Sequence, residues 1–182
     1  AAVTVTAETA GGAQGIIVDL AGGTGDLALW LRQRLPEARI IIADASPGML
    51  AVAERRCGSK VECRIAEAED LPFPAQSVDA VMLSFGLRNM TDPPRALHEV
   101  ARVLKPGGRL VLLEFSKPSS WFAPFYNVFS RFVIPALGAV ISRNTGAYRY
   151  LVDSIRLFPD AESITQELAA AGFSSITLRR FM

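Results

Sequence analysis

Ile16-Ile17-Val18-Asp19-Leu20-Ala21-Gly22-Gly23-Thr24-Gly25-Asp26 is the stretch that decides the fold of this 182-residue chain. The apolar run ahead of the glycines predicts a buried strand, and the amphipathic residues 27–35 beyond them predict a helix. The glycines are therefore a tight strand-to-helix turn, in which backbone can approach a ligand of nucleotide shape where side chains would collide. A second apolar run, Ile40-Ile41-Ile42-Ala43, ends at Asp44. An acidic residue at that place accepts hydrogen bonds from a ribose.

Outward from this stretch, strand-like runs alternate with helical ones, which predicts an α/β fold: a doubly wound, mostly parallel sheet with helices on both faces. Strands are predicted over 16–20, 39–43, 61–66, 78–84 and 109–115, with a sixth over 175–181. Helices are predicted over 26–35, 47–56 and 93–104. Pro47 and Pro93 suit first-turn positions, with Ser46 and Asp92 as caps, and Lys105-Pro106-Gly107-Gly108 reads as a turn into the next strand. Phe122, Phe125, Tyr126, Phe129, Phe132 and Val133 recur at helical spacing and form one aromatic face, which suits packing on the domain, a wall for a hydrophobic substrate, or a membrane surface. Further helices are read over 148–157 and 160–171. Residues 1–15 read as a tail or weak leading element without the basic and apolar regions of a signal peptide. Residues 16–182 read as one domain with a helical substrate-covering insertion around 117–160.

Composition narrows the function. Half the residues are hydrophobic, 20% are charged and the net charge is +1, which gives no electrostatic case for nucleic acid. Cys57 and Cys63 have neither redox-pair nor metal-ligand spacing, so they read as small packed thiols and no metal is expected. No apolar run reaches the ~18 residues of a membrane span. His98, the lone histidine, falls within the 93–104 helix, away from the strand ends, and reads as structural.

The glycine loop also discriminates among nucleotides. A dinucleotide site wants G-x-G-x-x-G opposite a pyrophosphate, whereas Ala21-Gly22-Gly23-Thr24-Gly25 packs its glycines more closely between Asp19 and Asp26. Flanking carboxylates repel a pyrophosphate and favour a cation. S-adenosylmethionine carries two cationic groups and no phosphate. A third element, Ala66-Glu67-Ala68-Glu69-Asp70-Leu71-Pro72-Phe73, offers acceptors for an adenine amino group, with Leu71 and Phe73 flanking the base.

The loop, together with Leu71-Pro72-Phe73, Ser84-Phe85-Gly86-Leu87-Arg88-Asn89, Leu104-Lys105-Pro106-Gly107-Gly108-Arg109 and Leu113-Glu114-Phe115-Ser116-Lys117-Pro118, resembles the quinone C-methyltransferases among the class I S-adenosylmethionine-dependent methyltransferases. Tyr148-Arg149-Tyr150-Leu151 and Ser154-Ile155-Arg156 continue the likeness. The resemblance implies methylation of a ring carbon of demethylmenaquinol or polyprenyl-methoxy-benzoquinol. It also implies a cofactor set of Asp19, Ala21, Gly22, Gly23, Thr24, Gly25, Asp44, Ala45, Glu67, Ala68 and Ser84. Glu67 stands where asparagine is expected; a carboxylate accepts from the adenine amino group but cannot donate to a ring nitrogen. Two further departures are a leading segment that does not match and a seventh, C-terminal antiparallel strand that is missing, which would leave residues 175–181 an open edge.

The chemistry names the acceptor side. A ring carbon becomes a good nucleophile when its neighbouring hydroxyl ionises, and a phenol titrates near ~10, so a fixed cation beside the oxygen assists. Arg88, just beyond the fourth strand, is the candidate, with Asn89 helping to hold a water that takes the proton. Phe85, Arg88, Phe122, Tyr126, Tyr148 and Tyr150 are the candidate substrate pocket. The expected partners are a prenylated quinol, a membrane surface touched peripherally from the cytoplasm, and either a second copy of the chain or a quinone-synthesis assembly. Other classes stay open: a cofactor-binding component without turnover, a methyltransferase for another small molecule, and a nicotinamide-dependent oxidoreductase, against which the glycine spacing argues.

Overall fold

Short, continuous apolar runs bounded by turn residues become strands buried on both faces when helices cover both sides of a parallel sheet. The computed structural model describes residues 2–7, 15–115 and 159–181. In chain order the elements are β1 (Ala2–Ala7), β2 (Ile16–Leu20), α1 (Asp26–Arg34), β3 (Arg39–Asp44), α2 (Pro47–Cys57), β4 (Glu62–Ile65), β5 (Val78–Ser84), α3 (Pro93–Val103), β6 (Leu104–Phe115), α4 (Ala161–Ala170) and β7 (Ile176–Phe181). The strands form one sheet in the order β4-β3-β2-β5-β6-β1-β7. β4, β3, β2, β5 and β6 are parallel to their neighbours, which is the doubly wound, Rossmann-like arrangement expected.

Alternation along β3 shows how the sheet feeds two cores. Ile40 and Ile42 pack with Ala28 and Leu31 of α1 and Leu50 and Ala53 of α2. Ile41 and Ala43 join Leu97 and Val100 of α3 and Ile164 and Leu168 of α4 on the other face. Local signals set the helix starts. Ser46 Oγ accepts from the Met49 N–H at 3.3 Å, and Asp92 Oδ1 accepts from the Arg95 N–H at 3.1 Å, both ahead of a first-turn proline. Asp160 caps α4 in the same way, through the Ser163 N–H at 2.8 Å. Cys57 is buried and Cys63 half-buried, and both are free thiols.

Two expectations are corrected. Of the two readings of residues 1–15, a tail or a weak leading element, residues 2–7 follow the second, and with it the expectation of an unpartnered β7 falls: β1 pairs antiparallel with β6 from Ala2↔Phe115 to Ala7↔Leu110, and with β7 from Ala2↔Phe181 to Ala7↔Ile176. The sheet therefore holds an antiparallel strand, and β7, expected to stand as an open edge, has a partner. The run Val3-Thr4-Val5-Thr6 has the β-branched character of a strand, but its partners lie far along the chain. The second correction concerns β6, which starts at Leu104, ahead of the predicted turn. Val78 faces Leu104 while Ala80 faces Arg109, so Lys105-Pro106-Gly107-Gly108 bulges out of the ladder. Lys105 Nζ reaches from the bulge to Asp79 at 2.7 Å, and Asp79 also accepts the Ile16 N–H at 2.8 Å. The aromatic helix that includes Phe122 and Tyr126, and the helix carrying Tyr148 and Tyr150, lie outside the described residues.

Leu97 is fully buried on α3. Leu97→Ala is expected to cost about 3 kcal/mol through lost burial and the cavity left behind. Urea unfolding measures this; a cost below about 1 kcal/mol would mean that α3 does not pack on the sheet as described.

Candidate functional site

β2 is followed by β3 on one side of it in the sheet, and β5, on its other side, is followed by β6 further out. Crossovers departing in opposite directions leave a crevice at the carboxyl ends of the two strands. A cavity of about 300 Å³ opens there, lined by Leu20, Ala21 and Gly23 after β2, by Ala43, Asp44, Ala45, Ser46 and Met49 after β3, by Ala66 to Glu69 after β4, and by Phe85, Gly86, Asn89, Met90 and Thr91 after β5. Two lining residues hold left-handed backbone, Ala21 at φ 54° and Phe85 at φ 56°. Such strain in non-glycine residues persists where surrounding structure fixes it. Gly86 makes the close approach of these turns feasible, because a Cβ there would lie 2.6 Å from the Ala21 Cβ.

Asp44 organises the cofactor-side wall. Its Oδ2 accepts from the Gly23 N–H at 2.9 Å and its Oδ1 from the Ser46 N–H at 2.8 Å. A carboxylate oxygen has two lone pairs, so each retains an acceptor site for a ligand hydroxyl. The backbone continues the wall, with the Ala66 N–H donating to the Asp44 carbonyl at 3.1 Å. Glu67 is exposed at the rim and Ala68 is buried. Among the described residues no lysine or arginine lines the cavity, whereas Asp44, Glu67 and Glu69 do.

Asp19 sits beneath the loop rather than in the cavity wall. It is 1% exposed, and its Oδ2 is buried with no hydrogen-bond partner among the described residues. Burial pushes its carboxyl from the ordinary 3.8 up to about 7; a backbone hydrogen bond from Ala28 opposes the shift and the nearby Asp44 charge adds to it. Asp26 differs from what its place in the sequence implies. It points outward in a salt bridge to Arg56 at 2.5 Å, which holds its carboxyl below the usual range. The Thr24 hydroxyl also bonds to Asp26, at 3.0 Å, and does not line the cavity. Negative charge at the loop therefore comes chiefly from Asp44, since burial disfavours the ionised form of Asp19 and Arg56 offsets the charge of Asp26.

The structure thus brings Ala21, Gly23, Asp44, Ala45, Glu67, Ala68, Phe85 and Asn89 together in one cavity, and leaves Asp19, Gly22, Thr24, Gly25, Ser84 and Arg88 outside its lining. Leu71 and Phe73, read as flanking a base, instead belong to the core. Glu99 accepts the Leu71 N–H at 2.9 Å, and Arg102 donates to the Leu71 and Phe73 carbonyls at 3.0 Å each, so this segment is latched onto α3. Arg88 turns toward β6, where its guanidinium pairs with Glu114; their side chains are 10% and 4% exposed. Asn89 Nδ2 donates to the Phe85 carbonyl at 3.4 Å. Sequence reasoning missed Ser46, Met49, Met90 and Thr91 as lining residues and Glu114 as a neighbour. A signal for Glu114 existed, because it falls in step with the buried Leu110 and Leu112 on one face of β6. Among the described residues no cluster of potential ligands suits a metal ion.

Comparison with known proteins agrees with this geometry. The model of the ubiE/COQ5 methyltransferase family matches residues 3–182. The ubiquinone/menaquinone biosynthesis C-methyltransferase UbiE of Rubrivivax gelatinosus is 49% identical over 160 residues, covering 88% of this chain and 63% of that protein. The demethylmenaquinone methyltransferase of Thermus thermophilus is 50% identical over 162 residues, covering 87% of this chain and 74% of that protein. The chain thus spans about two thirds of the length of these relatives. In fold it is similar to a methyltransferase from Thermotoga maritima, with a TM-score of 0.64 at 24% identity over 89% of this chain and 65% of that one.

Asp19 links stability to pH. The folded state keeps its proton up to about pH 7, while the unfolded chain releases it near 3.8. Its contribution is full at low pH and is lost as pH rises through about 7. Asp19→Asn removes this titration, so chemical denaturation from pH 4 to 8 is expected to show a shallower loss of stability than in the wild type. An equally steep loss would assign the pH dependence to other groups.

Proposed function

The chain belongs to the ubiE/COQ5 methyltransferase family, and from that premise we propose that it transfers a methyl group from S-adenosylmethionine to a ring carbon of a prenylated quinol. The observation that carries the cofactor reading is the cavity's charge: among the described residues, carboxylates and no lysine or arginine line it, and a carboxyl oxygen without a partner lies buried beneath its loop. Such a site suits a cationic adenosine without phosphates and disfavours a dinucleotide. The donor chemistry fits residue by residue. Asp44 meets the ribose hydroxyls, the Gly23 turn admits the ligand close to backbone, and Glu67 and Ala68 sit at the adenine. When bound, the cofactor supplies an electrophilic methyl on a sulfonium.

The remaining residues act on the acceptor. Phe85 and Asn89 face the cavity from the β5 side, at the end where an acceptor must come within ~3–3.5 Å of the methyl, in line with the bond that breaks. A guanidinium offers N–H donors and no acceptor, so Arg88 serves as a donor that stabilises an acceptor phenolate rather than as a base. Its Nε–H, buried without a partner among the described residues, is the donor that this reading assigns to the acceptor oxygen. The relatives' names join ubiquinone and menaquinone synthesis and demethylmenaquinone, which supports an acceptor of the quinol class. A prenyl tail resides in a bilayer, so the proposal includes contact with a membrane surface. Among the described residues no helix is long and apolar enough to cross one.

The protein incubated with methyl-labelled S-adenosylmethionine and reduced, demethylated naphthoquinol or benzoquinol is expected to place the label on a ring carbon, located by mass spectrometry. Bound cofactor without ring methylation would instead support a non-catalytic binding component. Asp44→Ala is expected to weaken S-adenosylmethionine binding about tenfold or more, the size of a lost hydrogen bond to a charged group. Unchanged affinity in calorimetry would remove Asp44 from the site.

A further inference from the structure

Glu114 occupies a place where the pattern of β6 calls for an apolar side chain. It is 3% exposed, in step with Leu110 and Leu112. A buried carboxylate is costly unless fully partnered, and its partners here are specific. Its Oε1 accepts from the Arg88 guanidinium and from the Phe115 N–H at 2.9 Å, while its Oε2 faces the Arg88 N–H at 3.4 Å. One carboxylate thus engages both the backbone and the side chain of Arg88. The rings of Phe85 and Phe115, with centroids 4.6 Å apart, lie 5.8 and 5.0 Å from the same guanidinium. Arg88 is therefore held on three sides, with its Nε left as a buried donor without a partner among the described residues. A bridge serving stability alone gains by satisfying every buried donor; here the donor left over belongs to a residue that stands in the chain next to Asn89 and two from Gly86, both of which line the cavity.

We propose that Glu114 is a positioning residue for methyl transfer: it fixes Arg88 so that the guanidinium presents its free N–H to the acceptor oxygen. The proposal rests on the quinol-methylation reading for its consequence in turnover. Its physical content is a property of the free protein. Glu114 touches neither cofactor nor acceptor and acts through Arg88.

The test uses the full chain and two readouts. In turnover, Glu114→Gln keeps the shape and the backbone acceptor but loses the charge. It is expected to lower kcat about 10²-fold, the cost of a small misplacement of a catalytic group, while the calorimetric Kd for S-adenosylmethionine stays at the wild-type value. Glu114→Asp, which retains the charge, is expected to recover part of kcat. In an Arg88→Met background, Glu114→Gln is expected to cost nothing further. Full kcat in Glu114→Gln, an Asp variant no better than Gln, or losses that add in the double variant would each overturn the proposal. The second readout is NMR of arginine-labelled protein without acceptor. The Arg88 Nε–H is expected to exchange slowly with water in the wild type and quickly in Glu114→Gln. Exchange in the wild type as fast as that of exposed arginines overturns the proposal even if the variant does not fold. If the wild-type protein methylates no quinol, it is the functional reading that fails, and the exchange measurement still decides whether Glu114 positions Arg88.

Discussion

Two left-handed turns meet where β2 and β5 end, and the absence of a single Cβ lets them meet. With a side chain at Gly86 the Ala21 Cβ would be 2.6 Å away and Leu83 Cδ1 2.9 Å away, so one loop would have to withdraw. Withdrawal would move Ala21 and Gly23 on one side of the cavity, or Phe85 and Asn89 on the other. It would also disturb the Gly23 N–H bond to Asp44, which joins the loop after β2 to the loop after β3. Three strand ends are thereby coupled, through the close approach at Gly86 and through the Asp44 carboxylate that the Gly23 N–H engages. The strained φ values at Ala21 and Phe85 follow from the same crowding.

Asp44, Asp19 and Glu114, at the carboxyl edge of the sheet, are carboxyl groups in distinct states. Asp44 is satisfied by two backbone N–H groups and remains available to a ligand. Asp19, beneath the loop, has an oxygen without a partner among the described residues, and its burial raises its pKa; a cation arriving above it would favour the ionised form. Glu114, on the far side of β5, is closed by Arg88 and backbone. Moving across the sheet, the site passes from carboxylates that can answer a positive ligand to a carboxylate already paired with a cation. On the proposed reading, that gradient separates a cofactor side from an acceptor side before any ligand is bound.

What could be read from the sequence was what depends on neighbours in the chain. The runs at Ile16 and Ile40 are strands because each is apolar on both faces, and the caps at Ser46 and Asp92 form because their partners lie three residues away. Asp44 and Ala45 were found because a strand end after a glycine loop fixes their place. Pairings across the chain were not legible. Asp26 looked like a charge facing the ligand until Arg56 paired with it; Leu71 and Phe73 looked like base contacts until Glu99 and Arg102 latched them to α3. Ala2–Ala7 carries strand propensity but no sign that β6 and β7 would bracket it. Glu114 left a trace, a charge out of step with its strand's apolar face, whose meaning depended on an arginine 26 residues earlier.

The pairing of Arg88 with Glu114 also constrains how the acceptor can be chosen. An unpaired arginine beside the cavity would attract anions generally, because a net charge acts at long range. A guanidinium neutralised by a buried carboxylate, with aromatic rings close to it, has little long-range field and acts through the direction of its remaining N–H. Such a donor favours an oxygen presented at one place over negative charge as such. On the proposed reading this matches an acceptor that arrives neutral, as a quinol does, and acquires charge only as it reacts. The aromatic surroundings suit a flat ring for the same reason that they suit the guanidinium: both are planar and weakly hydrated. On that reading, recognition and activation of the ring fall to the same few side chains at the end of β5 and β6.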